Sequence, residues 1–138
     1  MLTIHQATPS DAPALAALNA AFNDVYDPAE TIAQRMAGAG HVETAFIALV
    51  DGETAGFVCV RIAPCLLYAQ PHAELTELFV LPKFRWRGVA GALAKHAEQL
   101  ARERGAESLI VLTSDEKALA FYKAIGYTQT STCFEKEL

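Results

Sequence analysis

The chain has 138 residues, a formal net charge of -5 at pH 7, and 52% hydrophobic residues. That length suits one domain with a core of its own, and the apolar share excludes intrinsic disorder. No apolar run approaches the roughly 18 residues of a membrane span, and the acidic balance opposes a nucleic-acid partner, whose phosphates require a broad basic face.

Leu2 to Ala7 reads as a first strand. Thr8 or Ser10 then caps a helix, with Asp11 supporting its start and Leu15, Leu18 and Phe22 forming its apolar face. Asp27-Pro28 opens a second helix with Ile32 and Met36 inward, ended by Gly38 and Gly40. From 44 to 62 the apolar period changes to that of two antiparallel strands joined at Asp51-Gly52. Residues 64 to 72 form an irregular connection whose Cys65, Tyr68 and His72 suit a substrate-facing loop.

Leu75 to Leu81 is the next strand, stopped by Pro82. A helix from Gly88 or Val89 to about Arg104 follows, with Val89, Leu93, Ala97, Leu100 and Ala101 as its inner stripe and Gly105 as its stop. Residues 108 to 113, SLIVLT, read as a short buried strand parallel to the previous one. Asp115 caps a last helix with Ala118, Phe121, Tyr122 and Ile125 at helical spacing, closed by Gly126. Tyr127 to Glu137 supplies one or two final strands. The order βααβββαβαβ(β) predicts a mixed α/β sheet with helices on both faces.

The opening MLTIHQATPSD lacks the basic flank and apolar stretch of a signal peptide. Cys59, Cys65 and Cys133 form an odd set without CxxC spacing. They read as small apolar residues in a reducing cytoplasm, and no metal is expected.

The informative stretch runs from Leu75 to Ala101. Lys83, Arg85 and Arg87 lie within five residues, and a glycine then opens a helix. Backbone amides at a helix start, reinforced by the helix dipole and flanking arginines, make an anion site. GxxxxGK[ST] and GxGxxG are both absent, which removes a P-loop and a Rossmann dinucleotide site. An ordinary solvated basic loop is the alternative.

Arg85-x-x-Gly88-x-Ala90 between strand and helix, joined to Lys117, Ala118, Phe121, Tyr122, Gly126 and Tyr127 downstream, resembles the GNAT superfamily of acyl-coenzyme A-dependent N-acyltransferases. The resemblance covers the chain from about Leu2 to Leu138 and implies one GNAT-like domain, residues 1–138, with a mixed, mostly antiparallel sheet. It implies that amides from Arg87 through Gly88, Val89 and Ala90 to Gly91 cradle a coenzyme pyrophosphate, with Arg85 and Arg87 as donors. The pantetheine arm would lie along Leu78, Phe79 and Val80. Trp86 would pack on the adenine or on a neighbouring helix. Where many family members carry an asparagine after the fourth-quarter strand, this chain has Thr113-Ser114-Asp115, and Ser114 is the substitute donor.

The same resemblance makes Tyr122 the general acid for the leaving thiolate, with a place in the helix's core stripe as the alternative. Glu74 and Glu77 are candidates for the general base, since a carboxylate among Leu75, Leu78 and Phe79 has a raised pKa. Either could instead face solvent or pair with Arg61. His72 is a third candidate. Cys65 and Cys133 have no His-Asp context for a nucleophile.

The implied activity is acetyl-CoA-dependent N-acetyl transfer to a primary amine of a small cationic molecule, without a metal. Protein N-terminal or lysine acetylation and a non-catalytic acyl-CoA sensor are the alternatives. Homodimers are frequent in the family, and neither nucleic acid nor membrane is an expected partner.

Overall fold

Five strands form one sheet in sequential order in the computed structural model, which describes residues 1–138. They are β1 (Leu2–Gln6), β2 (Glu43–Val50), β3 (Glu53–Ala63), β4 (His72–Val80) and β5 (Ile110–Val111). The helices are α1 (Ala12–Asn23), α2 (Ala29–Ala39), α3 (Val89–Glu103) and α4 (Glu116–Ala124). β1 to β4 pair antiparallel in turn, and β5 pairs parallel to β4 after the α3 crossover. The mixed sheet with helices on both faces is therefore as the apolar periods predict. No helix is long and apolar enough to cross a membrane.

Strand alternation sorts the core into two layers. Ala48, Val58, Val60 and Leu75 face α3 and meet Leu93 and Ala97. Ile47 and Phe57 face the other side and meet Leu15 and Leu18 of α1, with Ile32 and Met36 of α2 beside them. Asp51 (φ 49) and Gly52 (φ 84) both take positive φ, the geometry of a two-residue hairpin that matches strand twist.

One bulge decides what β4 presents. Cys59 opposes Glu77 while Val60 opposes Leu75, so Thr76 is an extra residue in β4. Regular alternation would put Leu75 and Glu77 on one face. The bulge leaves Leu75, Leu78 and Val80 on the α3 side and turns Glu77 and Phe79 toward α1.

Several expectations change. Thr8 caps a short 3-10 turn, Pro9–Asp11, and α1 starts only at Ala12. The Asp11 carboxylate accepts the Thr8 N–H at 2.8 Å, which closes the turn before the helix. Phe22 is 39% exposed at the end of α1, yet it stays on the helix's apolar face, stacked on Phe79 and edge-on to Phe57. Gly38 lies inside α2, and Gly40 alone caps it.

The C-terminal quarter differs most. β5 has two residues instead of six, and it is an edge, with Ile110 37% and Leu112 56% exposed. Residues 128–138 form no strand. Thr-Gln-Thr-Ser-Thr carries no large apolar side chain to hold a face against the sheet, so the local strand propensity has no packing to fix it.

Candidate active site

β4 and β5 pair only at Glu74–Ile110 and Leu75–Val111. Beyond Leu75 they separate, and the β5-side edge of β4 is open. Leu81 N–H donates to Ala55 C=O at 2.8 Å. In an antiparallel ladder the hydrogen-bonded pairs alternate, so Phe79 and Glu77 bond toward β3. Leu78 and Val80 therefore aim their N–H and C=O groups at the open edge. Among these, the Val80 carbonyl accepts a hydrogen bond from Arg85 Nε at 2.9 Å. An extended arm lying there meets the backbone groups a neighbouring strand would otherwise use.

The basic loop follows β4 directly. Pro82–Phe84 forms a 3-10 turn that buries Phe84 under the start of α3. Trp86 takes φ 66, and Gly88 takes φ 78 as the N-cap of α3. A Cβ on Gly88 would meet nothing within 4 Å, so its glycine is needed for conformation and open approach rather than for space inside the fold. The first α3 bond is Ala92 N–H to Gly88 C=O, 3.1 Å. Val89, Ala90 and Gly91 therefore present first-turn amides with no intrahelical acceptor.

The cations of the loop are not equivalent. Lys83 pairs with Glu53 at the hairpin tip, Nζ to carboxylate 2.6 Å. Arg85 is held by Val80 through one nitrogen and lies over the Phe79 ring at 5.7 Å, which leaves the guanidinium's remaining N–H groups to act as donors. Arg87 lies over Phe84 at 5.9 Å. Trp86 is fully exposed and rests on no neighbouring helix, so that alternative is excluded.

On the α1 and α2 side a cleft of about 440 Å³ opens. Apolar walls come from Leu15, Ile32, Met36 and Phe57, and the polar groups include Asn19, Glu43 and Glu77. Burial pushes the Glu77 carboxyl above the ordinary carboxylate range, Asn23 pulls it back through a hydrogen bond, and the Glu43 charge pushes it further up. Asn23 Nδ2 is 3.4 Å from Glu77 Oε2. Glu43 accepts from the Thr76 hydroxyl at 2.6 Å and pairs with Arg61 at 3.2 Å. Arg61 is thus engaged by Glu43 and by neither β4 carboxylate. Cys59 also lines the cleft, but burial pushes its thiol up, which disfavours the nucleophilic thiolate.

The other candidates fall elsewhere. Glu74 stands 4.0 Å from His72 across an exposed strand end; neither lines the cleft. Tyr122 borders a separate, larger cleft of about 970 Å³ with α3, β5 and the C-terminal segment, where Ser114 also lies. Its ring meets Phe121 and Tyr127 edge-on at 5.2 and 5.3 Å. Burial pushes its hydroxyl up to about 12, so it holds its proton at neutral pH. Asn19, Asn23 and Glu43 have no place in the sequence expectation, because polar residues on helices and strand ends carry no local mark of function.

Comparison with known proteins shows the family. A sequence profile described as the Acetyltransferase (GNAT) family matches residues 12–127. The chain belongs to the GNAT acetyltransferase family. Its relatives include an aminoglycoside N(6')-acetyltransferase type 1 of Stenotrophomonas maltophilia, 35% identical over 135 residues, covering 93% of this chain and 87% of that protein. An aminoalkylphosphonate N-acetyltransferase of Salmonella typhimurium is 34% identical over 94 residues, covering 67% of this chain and 61% of that one. Among solved structures, a putative acetyltransferase from Agrobacterium tumefaciens superposes with TM-score 0.86 at 26% identity, covering 99% of each chain. AAC(6')-Iy in complex with a bisubstrate analogue, CoA-S-monomethyl-acetylneamine, gives TM-score 0.86 at 22% identity over 100% of this chain and 98% of that one, a likeness of fold. This GNAT chain is accordingly an N-acetyltransferase.

Proposed function

We propose that the chain transfers the acetyl group of acetyl-CoA to the primary amine of a small cationic molecule. The observation that carries this is the cleft on the α1 and α2 side, where the Glu77 carboxylate has no cationic partner, Glu43 is paired with Arg61, and Arg35 in the lining is paired with Asp27. A carboxylate without a cationic partner, set among apolar walls, attracts an ammonium group. The named activity of the Stenotrophomonas relative on an aminoglycoside points the same way.

In this reading the amides of Val89, Ala90 and Gly91 bind the coenzyme pyrophosphate, with Arg85 and Arg87 adding charge-assisted bonds. Leu78 and Val80 hold the pantetheine arm through their open-edge backbone groups, and Ser114 donates from the opposite side. Glu77, whose carboxyl burial shifts upward, accepts in its ionised form the proton of the bound ammonium and leaves a neutral amine. The amine nitrogen forms a bond to the thioester carbonyl carbon, the carbon–sulfur bond breaks, Tyr122 gives its proton to the departing thiolate, and the proton lost from the acylated nitrogen restores the Tyr122 hydroxyl through solvent, leaving a neutral amide. Glu74 is the reserve base, and its exposed contact with His72 makes it the weaker one.

Calorimetry with acetyl-CoA followed by thiol release over an amine panel tests the reading. Binding together with turnover of a small polyamine or aminosugar is the expected result. Binding without turnover on any amine favours the sensor alternative, and turnover only on peptides favours protein acetylation. Absence of binding overturns the coenzyme site.

A further inference from the structure

The last turn of α1 reaches the candidate base on the face of the sheet that α1 covers, by a route no strand or loop motif marks. Asp24 takes φ 57 and ends the helix, which makes Asn23 its last residue. Asn19 and Asn23 are one turn apart and share a face. Asn23 Nδ2 donates to Asn19 Oδ1 at 2.8 Å and also lies 3.4 Å from Glu77 Oε2. The neighbouring Phe22 stacks on Phe79, with ring centroids 4.8 Å apart and planes 22° from parallel, and meets Phe57 edge-on at 6.2 Å. Phe79 is the strand residue two beyond Glu77, on the same face, and it carries Arg85 over its ring. The helix end is therefore pinned to β4 by one aromatic stack and directs one amide at one carboxylate.

We infer that Asn23 is the positioning residue of Glu77: Asn19 orients its amide, the Phe22–Phe79 stack fixes the distance, and the carboxylate is held toward the cleft by the Nδ2 donor. This rests on the reading of Glu77 as the base.

Other groups around Glu77 do not perform this task. Glu43 on β2 repels it and is bound to Thr76 and Arg61. Arg35 on α2 is paired with Asp27 at 2.6 Å. Cys59 on β3 faces it as a neutral thiol. Glu74, on the same strand, is beside His72. Asn23 is the group that stabilises the ionised form by a hydrogen bond.

The test is direct titration of Glu77 by carbon-13 NMR, in full-length protein labelled at the glutamate side-chain carboxyls, with the resonance identified by its loss in E77Q. Asn23 is exposed at a helix end, so N23A and N23D leave the core intact. N23A is expected to raise the Glu77 midpoint by about half a unit, because a donor to the ionised form is lost. N23D is expected to raise it further, because a second negative charge replaces the donor. Midpoints unmoved in both variants overturn the positioning role. Turnover of the amine panel by E77Q is read separately: full turnover overturns the base reading, while the N23A and N23D shifts still report whether Asn23 holds the carboxylate.

Discussion

Gly56 lies so close to Phe79 that a methyl group on its Cα would sit 2.3 Å from the Phe79 carbonyl oxygen and 3.0 Å from the Val80 Cα. Both atoms are backbone, so no side chain can swing aside. The absence of a Cβ lets β3 and β4 meet at the stretch proposed to hold the coenzyme arm. Gly56→Ala is expected to cost about 3 kcal/mol by forcing the strands apart. A denaturant titration checks the loss, and weaker acetyl-CoA binding by calorimetry should accompany it. Unchanged stability would show that the two strands move apart freely.

Glu77 governs the acid side of the rate profile in the proposed mechanism. Its pKa is raised by burial, and it acts as a base only when ionised. Turnover is therefore expected to fall as pH drops through a midpoint above the ordinary glutamate value of about 4.3. Glu77→Gln should remove that limb and lower kcat by about 10²-fold or more. A steady-state pH profile of kcat/KM separates this from Glu74→Gln, which should leave the limb in place.

Tyr122 offers the opposite chemistry. With its hydroxyl pushed up to about 12 it remains protonated across the working range. Tyr122→Phe keeps the ring contacts with Phe121 and Tyr127 and removes only the proton. A fall in kcat of about 10²-fold with coenzyme affinity nearly unchanged is the expected outcome. Equal turnover would leave Tyr122 as packing for α3.

Gly88 separates conformation from charge. Alanine fits the space, since nothing lies within 4 Å of the new Cβ, but the φ of 78 disfavours it. Gly88→Ala is expected to cost about 1 kcal/mol of stability and to weaken acetyl-CoA binding modestly. Gly88→Glu adds bulk and negative charge at the first-turn amides and should abolish binding. Calorimetry on both variants is the check, and intact affinity in Gly88→Glu would remove the pyrophosphate site from this loop.

Asp11 tests the entry to α1. Its carboxyl is held below the usual range chiefly by the Thr8 N–H. A lowered folded-state pKa contributes stability above the unfolded pKa and loses it as pH falls through the folded one. Asp11→Ala is expected to cost about 1 kcal/mol near neutral pH, with the difference from wild type shrinking in acid. Thermal melts at several pH values measure both.

Local chemistry in the sequence by itself determined most of the architecture and marked the loop proposed to hold the coenzyme. Apolar period marked α1, α3 and the β2–β3 hairpin, because each buries one face and its pattern shows which. Arg85, Arg87 and Gly88 mark a candidate anion loop, since a helix start with glycine and cations is a local device, and the spacing to Ala90 carries the family resemblance. The tertiary structure alone decided the rest. A single extra residue, Thr76, turned Glu77 from the α3 face to the cleft. Asn23 meets that carboxylate across 54 positions of chain, and Arg85 turned out to be tied to Val80. SLIVLT looked like a buried strand but became a short edge, because burial depends on a neighbour that the residues after Tyr127 do not supply. Period and propensity describe a segment in isolation; which face a bulged strand shows, and what covers it, depends on contacts between distant segments.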